Sequence, residues 1–350
     1  MARENILVTG GAGYIGSHVA RDLYGKGFNP VVLDNLSTGC RDNVLYGDFV
    51  LGNINDGPLV ARTIREYNIR GVIHFAASIV VEESVSHPLE YYENNSLNAF
   101  RLVKTCIEND IREFVFSSTA AVYGIPEKVP VPETAPMIPI NPYGKSKVVT
   151  EMLLQDVSVA YPGFHYIALR YFNVAGADGE ARLGQNYRKP THLMTLALRT
   201  ALGDYPELKI FGRDYPTPDG TAVRDYIHID DLSAAHLLAL DYLKNEKKSR
   251  VFNCGYGVGR SVAEVVAAAR KVTGVDFRAV PCDRRPGDAP ELVADSRLIR
   301  TELGWIPRFN DLHYIIETAW KWEKKIKEAG KRGSEEARKS GNEEKRKVRK

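Results

Sequence analysis

The stretch Thr9-Gly10-Gly11-Ala12-Gly13-Tyr14-Ile15-Gly16 restricts this chain more than any other. It follows directly on the apolar run Ile6-Leu7-Val8 and opens a segment that reads as a helix. Glycine permits a tight strand-to-helix turn, lets the backbone approach a phosphate, and lets helix and strand pack closely. Gly10, Gly13 and Gly16 supply those positions. A phosphate there meets unpaired N–H groups and the positive end of the helix dipole. Asp34 ends the next apolar run, 18 residues beyond Gly16. A carboxylate at that point accepts hydrogen bonds from a ribose and repels a 2′-phosphate, which favours NAD over NADP.

Residues 5–9, 30–34, 71–76, 113–118 and 166–172 are short, apolar and rich in β-branched side chains, with helical spacers between them. That alternation predicts βαβ units and a parallel, doubly wound α/β sheet. The run Gly71-Val72-Ile73-His74-Phe75-Ala76 is apolar nearly throughout, which suits a sheet covered on both faces. Beyond Gly176 the texture changes to Gly-, Pro- and charge-rich segments with shorter helices. That shift marks a candidate second domain.

Apolar residues make up 44% of the 350 and charged residues 26%, an ordinary globular composition. No run approaches the ~18 apolar residues of a membrane span. The N-terminus has no secretory core, and cytoplasmic placement is expected. Cys40, Cys106, Cys254 and Cys282 form no CxxC pair, so neither a zinc site nor a disulfide framework is expected. The net charge of +3 belongs to the tail: residues 331–350 carry nine Lys/Arg and four Asp/Glu, leaving the rest at −2. The tail has no aromatic residue for stacking on bases and interleaves Glu335, Glu336, Glu343 and Glu344 with its cations. It reads as a solvated, disordered tail or a frayed helical continuation, not a nucleic-acid arm.

Asn141-Pro142-Tyr143-Gly144-Lys145-Ser146-Lys147 places a tyrosine and a lysine four residues apart. Asn141 is suited to cap a helix and Pro142 to be its first residue. Tyr143 then falls in the first turn, with the Lys147 ammonium directed along the same face towards its phenol. A tyrosine titrates near ~10, so work as a base near neutrality requires roughly three units of depression. A neighbouring cation, the helix N-terminus and an oxidised nicotinamide all act in that direction. Upstream, Ser117-Ser118-Thr119 sits at the C-terminal edge of a predicted strand, where ligands of open α/β sheets bind. The Thr119 hydroxyl is placed to relay a substrate proton to Tyr143.

These blocks resemble the extended short-chain dehydrogenase/reductases and, within them, the UDP-glucose 4-epimerase family. The resemblance is carried by the glycine turn with Ser17-His18, by Val72 to Ala77, by Glu83-Ser84-Val85, and by Pro88-Leu89-Glu90-Tyr91-Tyr92 with Asn94-Asn95. Further along it rests on Tyr143 to Lys147, Arg170-Tyr171-Phe172-Asn173, Ile210-Phe211-Gly212, Asp214 to Thr217, Asp219 to Thr221, Val223 to His228, and Arg284 to Asp288. It implies an NAD-dependent isomerase: the C4 hydroxyl of a UDP-hexose is oxidised, the 4-keto sugar turns over, and the hydride returns to its other face. Thr119, Tyr143 and Lys147 would be catalytic and would also meet the cofactor. The resemblance gives the cofactor Gly10, Gly13, Tyr14, Ile15, Gly16, Asp34, Asn35, Ser37, Asn53, Ile54, Phe75, Ala76, Ala77, Asn94 and Phe172. It gives the substrate Asn173, His192, Leu193, Phe211, Arg224, Tyr226, Arg285 and Asp288, with the two arginines at the pyrophosphate. The resemblance also implies a Rossmann domain over residues 1–175 and a smaller C-terminal α/β substrate domain over 176–330, with segments near 223–241 and 251–255 returning to the first domain. No metal is implied; a homodimer is usual.

The chain departs from the family at several points. Asn53 stands where many relatives have an adenine-accepting Asp, and Ile79 replaces a lysine near the nicotinamide ribose. Thr191-His192-Leu193 replaces an Asn-Asn-Leu, and Asn98 a common Gly. Leu292 falls where relatives restricted to unacetylated sugars have Tyr, leaving room for an N-acetyl group. Among rivals, a 4,6-dehydratase needs an acid and a base after the loop threonine, where this chain has Ala120 and Ala121. A uronic-acid epimerase or decarboxylase and a non-catalytic nucleotide-binding module stay open at this stage.

Overall fold

The computed structural model describes residues 3–187, 189–285 and 288–347, with side chains through residue 330. Its centre is a sheet of seven parallel strands in the order β10-β6-β5-β4-β1-β2-β3. These are β1 (Asn5–Thr9), β2 (Asn29–Asp34), β3 (Asp48–Leu51), β4 (Ile69–His74), β5 (Glu113–Thr119), β6 (His165–Tyr171) and β10 (Arg250–Cys254). The strand order reverses between β1 and β4, and a crevice opens at such a point outside the strands' C-terminal ends.

Alternate side chains of each strand point to opposite faces, and both faces are buried here. Ile6, Val8, Val32, Ile73, Val115, Ile167 and Leu169 join one core cluster. Leu7, Val31, Leu33, Val72, Phe114, Phe116 and Ala168 join the other. Helices α1 (Tyr14–Gly25) and α8 (Ile229–Glu246) contribute to the first; α2 (Gly57–Glu66), α5 (Asn98–Glu108) and α6 (Pro142–Ala160) contribute to the second. At ~1.5–3 kcal/mol for each fully buried aliphatic side chain, this two-faced burial dominates the fold's stability.

Strand β4 ends at His74, earlier than the sequence suggested. Phe75 donates to the Thr9 carbonyl at 2.9 Å, and the chain then leaves the sheet to pass under Gly10.

The C-terminal part is built on β9 (Val223–His228), which pairs in parallel with β7 (Asn173–Ala175) and β13 (Glu291–Leu292) and antiparallel with β11 (Gly259–Ser261). A separate parallel pair joins β8 (Leu208–Phe211) to β12 (Ala279–Cys282). Helices α7 (Leu193–Ala201), α9 (Val262–Thr273) and α11 (Leu312–Lys347) add Leu198, Val265 and Ile315 to the same core as β1. The reading of a solvated tail falls on residues 331–350, whose side chains lie outside the described residues. Among the described residues no helix is long and apolar enough to cross a membrane.

Candidate active site

The glycine turn forms one wall of the crevice. Gly10 has φ +72, and a Cβ on it would stand 2.6 Å from the Ala76 nitrogen. A Cβ on Gly16 would stand 2.5 Å from the Gly10 carbonyl oxygen. The backbone is thus pressed against β4's exit at Phe75–Ala77, and no side chain fits between. The first helical bond of α1 runs from Ser17 to the Gly13 carbonyl at 3.1 Å. The N–H groups of Tyr14, Ile15 and Gly16 therefore have no partner within the helix.

Asp34 at the end of β2 is buried, and its carboxylate accepts from the amides of Ala12 at 3.0 Å and Leu36 at 2.8 Å. Burial raises its carboxyl above the usual range while those two amides oppose the rise. Asn35 and Asn53 accept from Ser37 and Asn55 at 3.0 and 3.1 Å, each closing its own turn.

Several side chains that the sequence assigned to the cofactor are committed elsewhere. The Tyr14 hydroxyl donates to the Gly176 carbonyl at 2.7 Å, Ile54 lies in the sheet core, and the Phe75 ring packs on His236 at 4.8 Å. Phe172 is buried among Ala120, Val122 and Tyr123. At Tyr14 and Ile54 only the backbone is left to face a ligand.

Across the crevice, α6 begins as its sequence requires. Asn141 caps it by accepting from the Gly144 amide at 2.9 Å, and Pro142 is its first residue. Tyr143, Thr119 and Lys147 are all buried. Burial raises the Tyr143 phenol, and the Thr119 hydroxyl beside it opposes the rise. Burial pulls the Lys147 ammonium down to about 7, with Glu151 acting the other way. The ammonium gives its hydrogen bond to the strand rather than to the phenol. Lys147 Nζ donates to the Ser117 carbonyl at 2.9 Å and lies 4.9 Å from the Phe116 ring centre. Its charge acts on the crevice from the floor of β5, where a carbonyl makes up for lost solvation.

Among the substrate candidates, Arg224, Asp288, Arg285 and Phe211 are linked to one another in a chain of contacts. Arg224 is ion-paired with Asp288 and also donates to the Val223 carbonyl at 2.8 Å. The Arg285 guanidinium lies 4.0 Å from the Phe211 ring centre. Tyr226 is buried opposite Asn173 in the β7–β9 register, with its phenol pushed up to about 12 by burial. Both terminal nitrogens of Arg224 are thus committed within the protein, one to a carboxylate and one to a backbone carbonyl. His192 precedes α7, within 3.3 Å of Gln185 Nε2, and stacks on Tyr187. Leu193 is the first residue of α7.

Three groups near the site were given no role in it by the sequence reading. Tyr187 is a half-buried phenol raised by desolvation and, to a lesser degree, by Tyr143. Tyr171 hydrogen-bonds Ser117 directly above Lys147's acceptor. Asn95, within a π-helical turn over Tyr92–Leu97, accepts from the Ser78 amide at 2.7 Å. It also donates to the Ser78 carbonyl at 2.9 Å and the Ser146 hydroxyl at 3.0 Å. Neighbouring Asn94 donates to the Ser78 hydroxyl at 2.9 Å. Asn95 thereby ties the loop after β4 to the helix carrying Tyr143 and Lys147. Its one available signal was the adjacent Asn94-Asn95 pair.

The cradle closed to any Cβ, the free amides of α1 and the Asp34 carboxylate together fit a dinucleotide with an unphosphorylated ribose. Among the described residues no cluster of side chains is arranged to hold a metal ion. Comparison with known proteins agrees. The model of the NAD dependent epimerase/dehydratase family matches residues 6–255. A UDP-glucose 4-epimerase of Azospirillum brasilense is 49% identical over 329 residues, 94% of each chain. The crystal structure of UDP-glucose 4-epimerase from Brucella ovis in complex with NAD superposes with a TM-score of 0.88 at 44% identity, covering 91% of this chain and 98% of that one. The UDP-Glc/GlcNAc 4-epimerase of Campylobacter jejuni gives 0.81 at 46%, covering 92% and 99%. A seven-stranded dinucleotide sheet, a Tyr/Lys helix beside its crevice and these relatives lead to one assignment: the chain belongs to the NAD dependent epimerase/dehydratase family.

Proposed function

We infer that the protein catalyses the NAD-dependent interconversion of UDP-glucose and UDP-galactose. The convergence of Thr119, Tyr143 and Lys147 at the C-terminal edge of β5, next to the glycine crevice, is the observation that carries this reading. Gly10, Gly13, Gly16 and Asp34 hold the cofactor, with the amides of Tyr14 and Ile15 at its phosphates. NAD supplies a hydride acceptor that is restored within each turnover. Tyr143 takes the C4 hydroxyl proton, with Thr119 relaying or aligning it, and returns a proton when the ketone is reduced. Burial alone makes the phenol a poor base. The Lys147 charge and the N-terminus of α6 favour the phenolate and so bring it towards neutrality. Arg224 and Arg285 grip the pyrophosphate, while Phe211, Tyr226 and Asp288 hold the nucleotide end. Affinity placed there leaves the sugar free to turn.

Leu292 pairs with Arg224 in the β9–β13 register and packs on the cluster around Phe172. Its size favours acceptance of an N-acetyl group, and the Campylobacter enzyme is named for both sugars. The assay is incubation with UDP-galactose and UDP-GlcNAc without added cofactor. Formation of UDP-glucose is expected; absence of conversion by NAD-loaded protein overturns the activity, and turnover of UDP-galactose alone overturns the reading of Leu292.

The protein is proposed to be a homodimer. Phe100 (47% exposed) on α5 and Val149 and Met152 (46% and 55%) on α6 form an apolar face on neighbouring helices, which a second copy would cover. A cytoplasmic setting suits its four unpaired cysteines.

A further inference from the structure

Tyr143, Lys147 and Glu151 recur at four-residue intervals on α6 and share one face of it. Strand β5 meets that stripe with three consecutive residues. The Ser117 carbonyl accepts from Lys147, the Ser118 hydroxyl donates to Glu151, and the Thr119 hydroxyl adjoins Tyr143. Glu151 is 4% exposed and faces Arg170 of β6, whose Nη2 lies 2.5 Å from one carboxylate oxygen. Arg170 Nε reaches the two oxygens at 3.0 and 3.1 Å. Its Nη1 donates away from α6, to the Tyr123 hydroxyl at 2.9 Å and the Glu133 carbonyl at 3.2 Å. The pair is a buried dipole with its negative end one helical turn from Lys147.

A buried ion pair is weak evidence of stabilisation, because well-packed apolar side chains commonly serve as well. Its alignment with the catalytic stripe gives it another use. We propose that Glu151 is a positioning residue for the reaction: it registers α6 on β5 and keeps the Lys147 side chain in its cationic form beside Tyr143. The other titratable groups around it are His74 on β4, Tyr166, Arg170 and Tyr171 on β6, and Tyr123 and Glu133 from the connections. His74 and the three tyrosines are held neutral by burial. The Glu151 carboxylate is the group that favours the charge of Lys147.

The inference rests on the epimerase reading. The test is the pH profile of kcat for UDP-galactose with the NAD-loaded wild-type protein, Glu151→Gln and Glu151→Asp. Glu151→Gln should move the alkaline limb, where Lys147 loses its proton, to lower pH by about one unit or more. KM should change less than about threefold, since the substrate's grip is remote. Glu151→Asp should restore most of the limb. Arg170→Met with Glu151→Gln removes both charges and should show the same shift should the single variant fold poorly. Folded, NAD-retaining Glu151→Gln or double variant with the wild-type limb overturns the proposal. A wild-type protein that converts no sugar overturns the epimerase reading instead.

Discussion

Asn95 shows what a single buried side chain contributes to this site. Its amide answers both backbone groups of Ser78 and the Ser146 hydroxyl, so removing it strands both groups of Ser78, while the Ser146 hydroxyl keeps the Tyr143 carbonyl at 2.7 Å. Each buried unsatisfied group costs ~1–3 kcal/mol. Asn95→Ala is therefore expected to lower unfolding stability by about 3 kcal/mol and to weaken NAD retention; an unchanged denaturation midpoint would contradict its role. Asn95 was legible as half of the Asn94-Asn95 pair, but its role was not, because its partners are 17 and 51 residues away. Thr119, Tyr143 and Lys147 were legible because helix spacing and a strand's end bring them together locally. Arg224 and Asp288 were each legible, but their pairing was not, since 64 residues separate them.

At the level of elements, legibility follows how local each constraint is. The strand β1–turn–α1 unit was readable because glycine is required by contacts within a few residues and by one neighbouring strand. Gly10→Ala tests that. It forces a side chain into φ +72 and to within 2.6 Å of the Ala76 nitrogen. Left-handed backbone alone costs ~1–2 kcal/mol. The purified variant should carry well under one NAD per chain by absorbance of extracted cofactor; full occupancy would contradict the account of the turn. By contrast, Tyr14, Ile54 and Phe75 were assigned to the cofactor as residues, whereas their side chains serve packing. Sequence identifies a position in a motif but not whether backbone or side chain faces the ligand.

Across the whole molecule, one core joins the sheet to the C-terminal helices, and neutral histidines are buried on both faces of the sheet, His74 against Phe114 and Phe116 of the other cluster. His18, His74 and His236 are buried, with pKa values lowered by burial to about 4, about 3 and about 4. The unfolded chain binds their protons near ~6.5, so it takes up protons that the folded state refuses. Stability is full above that pH and falls as pH drops towards 4. Asp225, whose carboxyl is raised by burial to about 6, works against this and offsets about one histidine. Between pH 7 and 5 a net loss of roughly 3 kcal/mol is expected from two uncompensated groups; a flat denaturation midpoint over that interval would contradict it. The same enclosed architecture brings the phenol of Tyr143 to the crevice, and its proton transfer is the centre of the account. The most direct measurement is UDP-galactose turnover by Tyr143→Phe alongside its NAD content. The account predicts a loss of about a thousandfold with NAD still bound; turnover near the wild-type rate would contradict it.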